Sequence, residues 1–149
     1  MTTKPITPIL TLSFLFLFSG NCIVYGQETE IKKEYWEDGK LKSETHYKNG
    51  KLEGLDTRWD EKGNKKSERP YKNGLKDGVS TRWYENGNKK YEIHYKNGLK
   101  DGLGTWWHEN GHKKSEKHYK FGVKEGLEIR WYENGKIKSE KHFKNGKEQ

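Results

Sequence analysis

The chain has 149 residues, with Lys and Arg at 30, Asp and Glu at 22, a formal charge of +8, and only 29% hydrophobic residues. Fourteen hydrophobic residues lie in the first 26 positions, and beyond them Leu, Ile, Val and Phe together supply 15 of 123 residues, about 12%. That excludes a thick-cored enzyme domain, because so little aliphatic surface cannot offset backbone ordering of about 1–2 kcal/mol per residue; it leaves a disordered basic chain or a thin repetitive structure.

The N-terminus reads as a targeting segment. Lys4 supplies a positive start, and Ile9 to Phe18 is an apolar run of ten. That is the length of a signal-peptide core and short of a membrane span. Val24, Tyr25 and Gly26 place small or modest residues before Gln27. Residues 1–26 are therefore expected to be a signal peptide cleaved at Gly26-Gln27, with 27–30 a short linker. The mature chain would be exported, periplasmic or extracellular. Cys22 is the only cysteine, so no intramolecular disulfide is expected. Two other fates stay open: lipidation of Cys22 after the lipobox-like Ser19-Gly20-Asn21, giving an anchored lipoprotein, or an uncleaved anchor through residues 6–26.

Beyond the leader the organising feature is a period of 24. Trp59, Trp83, Trp107 and Trp131 form one aromatic column, with Tyr35 one period earlier. Tyr47, Tyr71, Tyr95, Tyr119 and Phe143 form a second. Glycine columns run through Gly39, Gly50 and Gly54, and glutamates recur from Glu44 to Glu140. The units are 31–54, 55–78, 79–102, 103–126 and 127–149, with no gap.

Each unit reads as a β-hairpin. In residues 79–102, Val79, Thr81 and Trp83 alternate with Ser80, Arg82 and Tyr84, a strand period of two. Asn86-Gly87 is a hairpin-turn signal, because both residues tolerate positive φ. The return strand runs from about Lys89 to Tyr95, and Asn97-Gly98 with Asp101-Gly102 is expected to turn the chain into the next unit. A helix is excluded by a glycine about every eight residues, each costing about 1 kcal/mol. The fold expected is all-β: an elongated single-layer antiparallel sheet of five hairpins, ten strands at ~4.8 Å each. Large aromatic rings stacking across strands explain how few apolar residues suffice. Arg58, Arg82 and Arg130 are expected near Glu68, Glu92 and Glu140 as exposed pairs.

The unit resembles a MORN repeat in its bacterial variant form. The carrying residues are an aromatic followed by Glu-Asn-Gly (Tyr84 to Gly87, Tyr132 to Gly135), the Lys113 to Glu116 strand, and the closing runs Tyr47 to Gly54, Tyr71 to Gly78 and Tyr95 to Gly102. The resemblance covers residues 31–149 and includes proteins labelled YwqK-type antitoxins of toxin–antitoxin systems. It implies a single-layer sheet used in protein contact, with acidic phospholipid as a further ligand of some members, and no catalytic residues. Three departures stand out. Phe121 replaces Asn in a closing turn, so that turn is expected to differ; Pro70 replaces a column histidine, which suits an edge or bulge; Trp106 replaces the column arginine.

Functional candidates follow from the columns. Successive column histidines would lie about 10 Å apart, too far to share an ion at metal–nitrogen distances of about 2 Å; only His108 and His112 could pair, and they read as exposed repeat positions. No metal or other cofactor is implied. Serine, histidine and acid recur as repeat positions, which argues against nucleophilic catalysis. The mature chain keeps a charge of +7, but 22 acids are spread through every unit, so no single-sign stripe points to nucleic acid. The function expected is a non-enzymatic, exported protein-binding or scaffolding surface in the bacterial envelope. Binding of anionic lipid or polysaccharide, and an antitoxin or immunity role toward a cognate toxin, are the alternatives. The contact residues expected are Trp59, Tyr71, Trp83, Tyr95, Trp106, Trp107, Tyr119 and Trp131, against the alternative that these rings serve only as packing. Open edge strands offer homodimerisation as a second mode.

Overall fold

The structure is a computed structural model that describes residues 28–149. The expected signal peptide, its cleavage site and Cys22 lie outside the described residues. The rest is strand and turn: β1 (Thr29–Tyr35), β2 (Leu41–Lys48), β3 (Lys51–Trp59), β4 (Lys65–Lys72), β5 (Leu75–Lys76), β6 (Gly78–Trp83), β7 (Lys89–Lys96), β8 (Leu99–Trp107), β9 (Lys113–Lys120), β10 (Val123–Trp131), β11 (Ile137–Lys144) and β12 (Lys147–Glu148). All twelve form one antiparallel sheet laid down in chain order, with β5 pairing β4 beside β6. The expected ten strands become twelve for two local reasons. β5 and β6 are one strand interrupted at Asp77, and β12 is a two-residue return strand. β1 also takes in Thr29 and Glu30, half of the expected 27–30 linker.

Two turn types alternate along this meander, and their chemistry differs from the sequence expectation. Asn97-Gly98 is a two-residue turn with both φ positive, +48° and +83°, flanked by the Lys96–Leu99 pair. That is the primed turn that matches strand twist. Asn86-Gly87 is instead part of a three-residue loop. Tyr84 N–H donates to Asn88 O, Gly87 N–H donates to Tyr84 O, and only Gly87 has positive φ. The Asn86 side chain accepts from Asn88 N–H, which explains the Asn there.

Asp101-Gly102 is not a turn. It lies inside β8 as a bulge, where Asp101, Gly102 and Leu103 oppose the single residue His94. Gly102 has φ +103°, and a Cβ there would stand 3.3 Å from the His94 Cβ. The bulge has a purpose in the repeat. It turns the preceding acid toward the next primed turn: Asp77 accepts Asn97 N–H, Asp101 accepts Phe121 N–H, and Glu125 accepts Asn145 N–H, each 20 residues on. Pro70 occupies the histidine column opposite the break between β5 and β6, the bulged position expected of it. Phe121 does not change its turn. It keeps φ +50° beside Gly122 at +88°, the same backbone as the asparagine copies.

The three-residue loops are tied to one another. Tyr84 Oη donates to Trp107 O at 2.9 Å, and Asn86 and Asn88 both donate to Glu109 O. One unit later His108 Nε2 meets Trp131 O, while Asn110 and His112 meet Glu133 O. His108 and His112 thus engage backbone oxygens of the next hairpin. Among the described residues no three metal-ligating side chains converge.

Strand alternation then defines two faces. Ser43, Arg58, Ser67, Arg82, Tyr91, Trp106, Ser115 and Arg130 pair in one row, with the Tyr47 to Phe143 column on the same side. We term this the tyrosine face. Thr57, Glu68, Thr81, Glu92, Thr105 and Glu116 pair on the other, and Trp59, Trp83 and Trp107 lie two residues along from the threonines. This is the tryptophan face. Ile93 is the only buried hydrophobic side chain among the described residues. Interior positions are instead small or charged: Ser67, Ser80, Asp56 and Glu128 all lie buried on the tyrosine face beneath longer neighbours. The sheet has no second layer to bury against, so long side chains lying flat supply the cover.

Candidate functional site

The eight aromatic residues expected to form one contact face are split between two. Tyr71, Tyr95, Tyr119 and Trp106 stand on the tyrosine face. Trp59, Trp83, Trp107 and Trp131 stand on the tryptophan face. The reason is parity within a hairpin. Tyr91 and Tyr95 share a side, and Tyr91 pairs with Arg82, the neighbour of Trp83. Adjacent residues in a strand point to opposite faces, so the tryptophan column must leave the tyrosine side. The register also overturns the expected Arg–Glu pairs. Arg58 and Arg82 oppose Ser67, whereas Glu68 opposes Thr57 and Thr81 on the other face. The glutamates take lysines instead: Lys65 with Glu68, Lys89 with Glu92 and Lys113 with Glu116, three residues apart across a bulge.

On the tyrosine face rings and ammonium groups alternate from strand to strand. Lys76 Nζ lies 4.8 Å from the Tyr95 centroid, Lys100 4.9 Å from Tyr119, and Lys124 4.2 Å from Phe143. Cation–π contacts of this kind are worth about 0.5–1 kcal/mol where water has access. Burial pushes the Tyr95 and Tyr119 phenols above the usual tyrosine range. Burial, with Arg69 and Lys100 nearby, holds the Lys76 ammonium below its ordinary value. Tyr91 and Trp106 oppose each other where other copies place Ser and Arg, and Trp106 meets Tyr119 at 6.5 Å in a tilted pair. Gly104 lies under the Trp106 ring, where a Cβ would come within 2.8 Å of it. That contact accounts for Gly104, the one repeat glycine outside the turn and bulge columns.

Sequence reasoning missed the buried acids of this face. Position 56 of the repeat reads Asp56, Ser80, Gly104 and Glu128 in successive units, a column with no common residue. Asp56 is 3% exposed, accepts Thr45 Oγ1 and takes Arg58 and Arg69 at 3.4 and 3.3 Å. Glu128 is 1% exposed and takes Lys124 at 2.5 Å and Arg130 at 2.6 Å, with Lys117 at 4.0 Å. Burial opposes its ionisation, but the Lys124 and Arg130 hydrogen bonds outweigh burial and hold its carboxyl below the ordinary range. The signal was present in the sequence as the failure of one column to repeat.

The tryptophan face carries a different row. Ile31 with His46, Leu55 with Pro70, Val79 with His94, Leu103 with His118 and Leu127 with His142 pair on it, one pair in each hairpin. Ile31, Leu55 and Val79 are each exposed. Lys89 and Lys113 lie beside the Trp107 and Trp131 rings at 5.8 and 5.9 Å. The MORN repeat variant family matches residues 31–49, 50–73, 76–97, 100–121 and 124–145. The chain belongs to the MORN repeat variant family. No curated protein matches it. Each MORN copy in that match ends on the first residue of a primed turn, Asn49, Asn73, Asn97, Phe121 or Asn145. The first four units expected from the sequence end five residues later, on the bulge glycine, and describe the same period at another phase.

Proposed function

We propose that this chain is a non-enzymatic, exported protein of the bacterial envelope whose sheet acts as a protein-binding or scaffolding surface. The observation that carries the reading is the exposed aliphatic row of the tryptophan face beside its column of rings. Ile31, Leu55 and Val79 leave 49%, 46% and 39% of their surface in water. Exposed aliphatic side chains recurring beside aromatic rings are what a protein partner covers. The contact set is accordingly Trp59, Trp83, Trp107 and Trp131 with that row. Tyr71, Tyr95, Trp106 and Tyr119 belong to the other face, where lysines over Tyr95, Trp106 and Tyr119 and the Trp106–Tyr119 pair give those three rings a packing role.

Crosslinking in cells of origin, followed by reconstitution with the purified partner, tests this. Trp83→Ala with Trp107→Ala is expected to abolish a salt-tolerant complex, while Tyr95→Ala with Tyr119→Ala lowers stability and leaves binding in the folded fraction unchanged. The reverse pattern would sink the assignment. A second reading, an anionic polysaccharide or lipid surface held by the tyrosine face, draws support from the alternating lysines and rings. It predicts retention that disappears by about 0.5 M salt, where screening falls to a few ångströms.

A further inference from the structure

The tyrosine face carries a pocket that neither the repeat pattern nor the protein-contact reading uses. It is a partly open groove of about 240 Å³ over β1, β2, β3, β4 and β6. Five cations line it: Lys42, Arg58, Lys66, Arg69 and Arg82. Glu34 is the single acid in the lining, and its carboxylate accepts from Ser43 Oγ. The buried Asp56 beside it takes up Arg58 and Arg69. Five cations less two carboxylates leave a local excess of +3. Among the described residues Lys66 and Arg82 form no ion pair, although Asp60, Glu85 and Glu109 line an adjoining groove with them.

The floor and wall are equally specific. Ser67, 2% exposed, lies in the row between Arg58 and Arg82, its neighbours on β3 and β6. Arg69 follows two residues along on the same face. Three guanidinium groups are thereby rooted around one small buried residue. Trp36 lines the pocket with its indole ring, which carries the Lys42 ammonium at 4.7 Å. The indole N–H of Trp36 is buried and has no acceptor among the described residues. Leaving that donor unmet costs about 1–3 kcal/mol.

We infer that this pocket binds a small phosphate monoester whose carrier packs against the Trp36 ring. Guanidinium forks match phosphate oxygens in bidentate geometry. A phosphate monoester carries about −1.5 to −2 charge at neutral pH, which fits an excess of +3 better than a single carboxylate does. A volume of about 240 Å³, below the ~300 Å³ of drug-sized sites, suits one compact group. Of the proposed protein-contact residues Trp59 alone also lines the pocket; Arg82 lies outside that set, so an Arg82 variant tests this site separately.

The test is calorimetry on the mature chain with glucose 6-phosphate as probe. Saturable binding at one site is expected, weakening with salt and losing about tenfold in affinity in Arg82→Gln. Arg82 makes no internal ion pair, so this variant keeps the fold. Lys96→Gln removes the same charge away from the pocket and is expected to bind as the wild type. No saturable heat at millimolar probe, or equal losses in the two variants, would overturn the site. Inorganic phosphate is expected to bind more weakly, for want of a ring contact; equal affinity would overturn the role of Trp36. Vesicles containing phosphatidate supply a last arm. Arg82-dependent retention on them without glucose 6-phosphate binding would assign the phosphate to a membrane and overturn the soluble ligand.

Discussion

Phe121 shows what one residue can retain against its own backbone preference. Its φ of +50° is the left-handed region that asparagine occupies in the other four copies. For a bulky L-residue that conformation costs about 1–2 kcal/mol, and the ring regains little, being 72% exposed. The N–H of Phe121 still donates to Asp101, so the turn's own bonds are intact. Phe121→Asn is expected to stabilise the protein by about 1 kcal/mol in urea unfolding, with an unchanged denaturant slope. A neutral or destabilising result would mean that the ring makes a contact the isolated chain does not show. Strain held by an exposed aromatic is the kind of feature that function retains.

Among the elements, β10 carries the least expected feature, a carboxylate buried in a sheet with no second layer. Glu128 relies on Lys124 and Arg130 on its own strand and Lys117 on β9. Glu128→Gln is expected to cost about 2 kcal/mol, below the ~3–5 of fully buried pairs, because its cations keep contact with water. The pH dependence has a definite sign. The folded carboxyl lies below its unfolded value, so its contribution is complete above the unfolded pKa of about 4.3 and is lost as pH falls through the folded one. Urea midpoints measured downward from about pH 5 should fall more steeply for the wild type than for Glu128→Gln. Parallel curves would remove Glu128 from the account.

The whole molecule behaves as a one-dimensional array, since each described strand, with β5 and β6 counted as one, pairs only with its chain neighbours. The ties between units follow the same rule, from Asp77 to Asn97 and from Tyr84 to Trp107. Removing residues 79–102 as a block joins Gly78 to Leu103 with every column in phase. The shortened chain is expected to fold, with a denaturant slope lower by about a fifth. Removing only residues 79–90 deletes one strand and its loop, reverses the direction of all later strands, and is expected to abolish cooperative unfolding. If both deletions behave alike in circular dichroism and urea titration, the nearest-neighbour description fails.

The sequence by itself determined the repeat, its period, the all-β class and the family, because period-two runs punctuated by Asn-Gly leave few other structures open. It also marked Pro70 as an edge or bulge position, and the structure makes it the bulge. It could not say which Asn-Gly makes the two-residue turn, since both sites share the dipeptide and differ only in how the flanking strands pair. Nor could it distribute the aromatics. One bulge opposite Trp83 and another at Gly102 reset the register, and a single-residue step decides which face a side chain takes. Only the tertiary structure therefore separated the tryptophan column from the tyrosines, moved the arginines away from the glutamates, and gathered Arg58, Arg69 and Arg82 around Ser67. Those groupings join residues on neighbouring strands, and strand pairing is what the linear period leaves unstated.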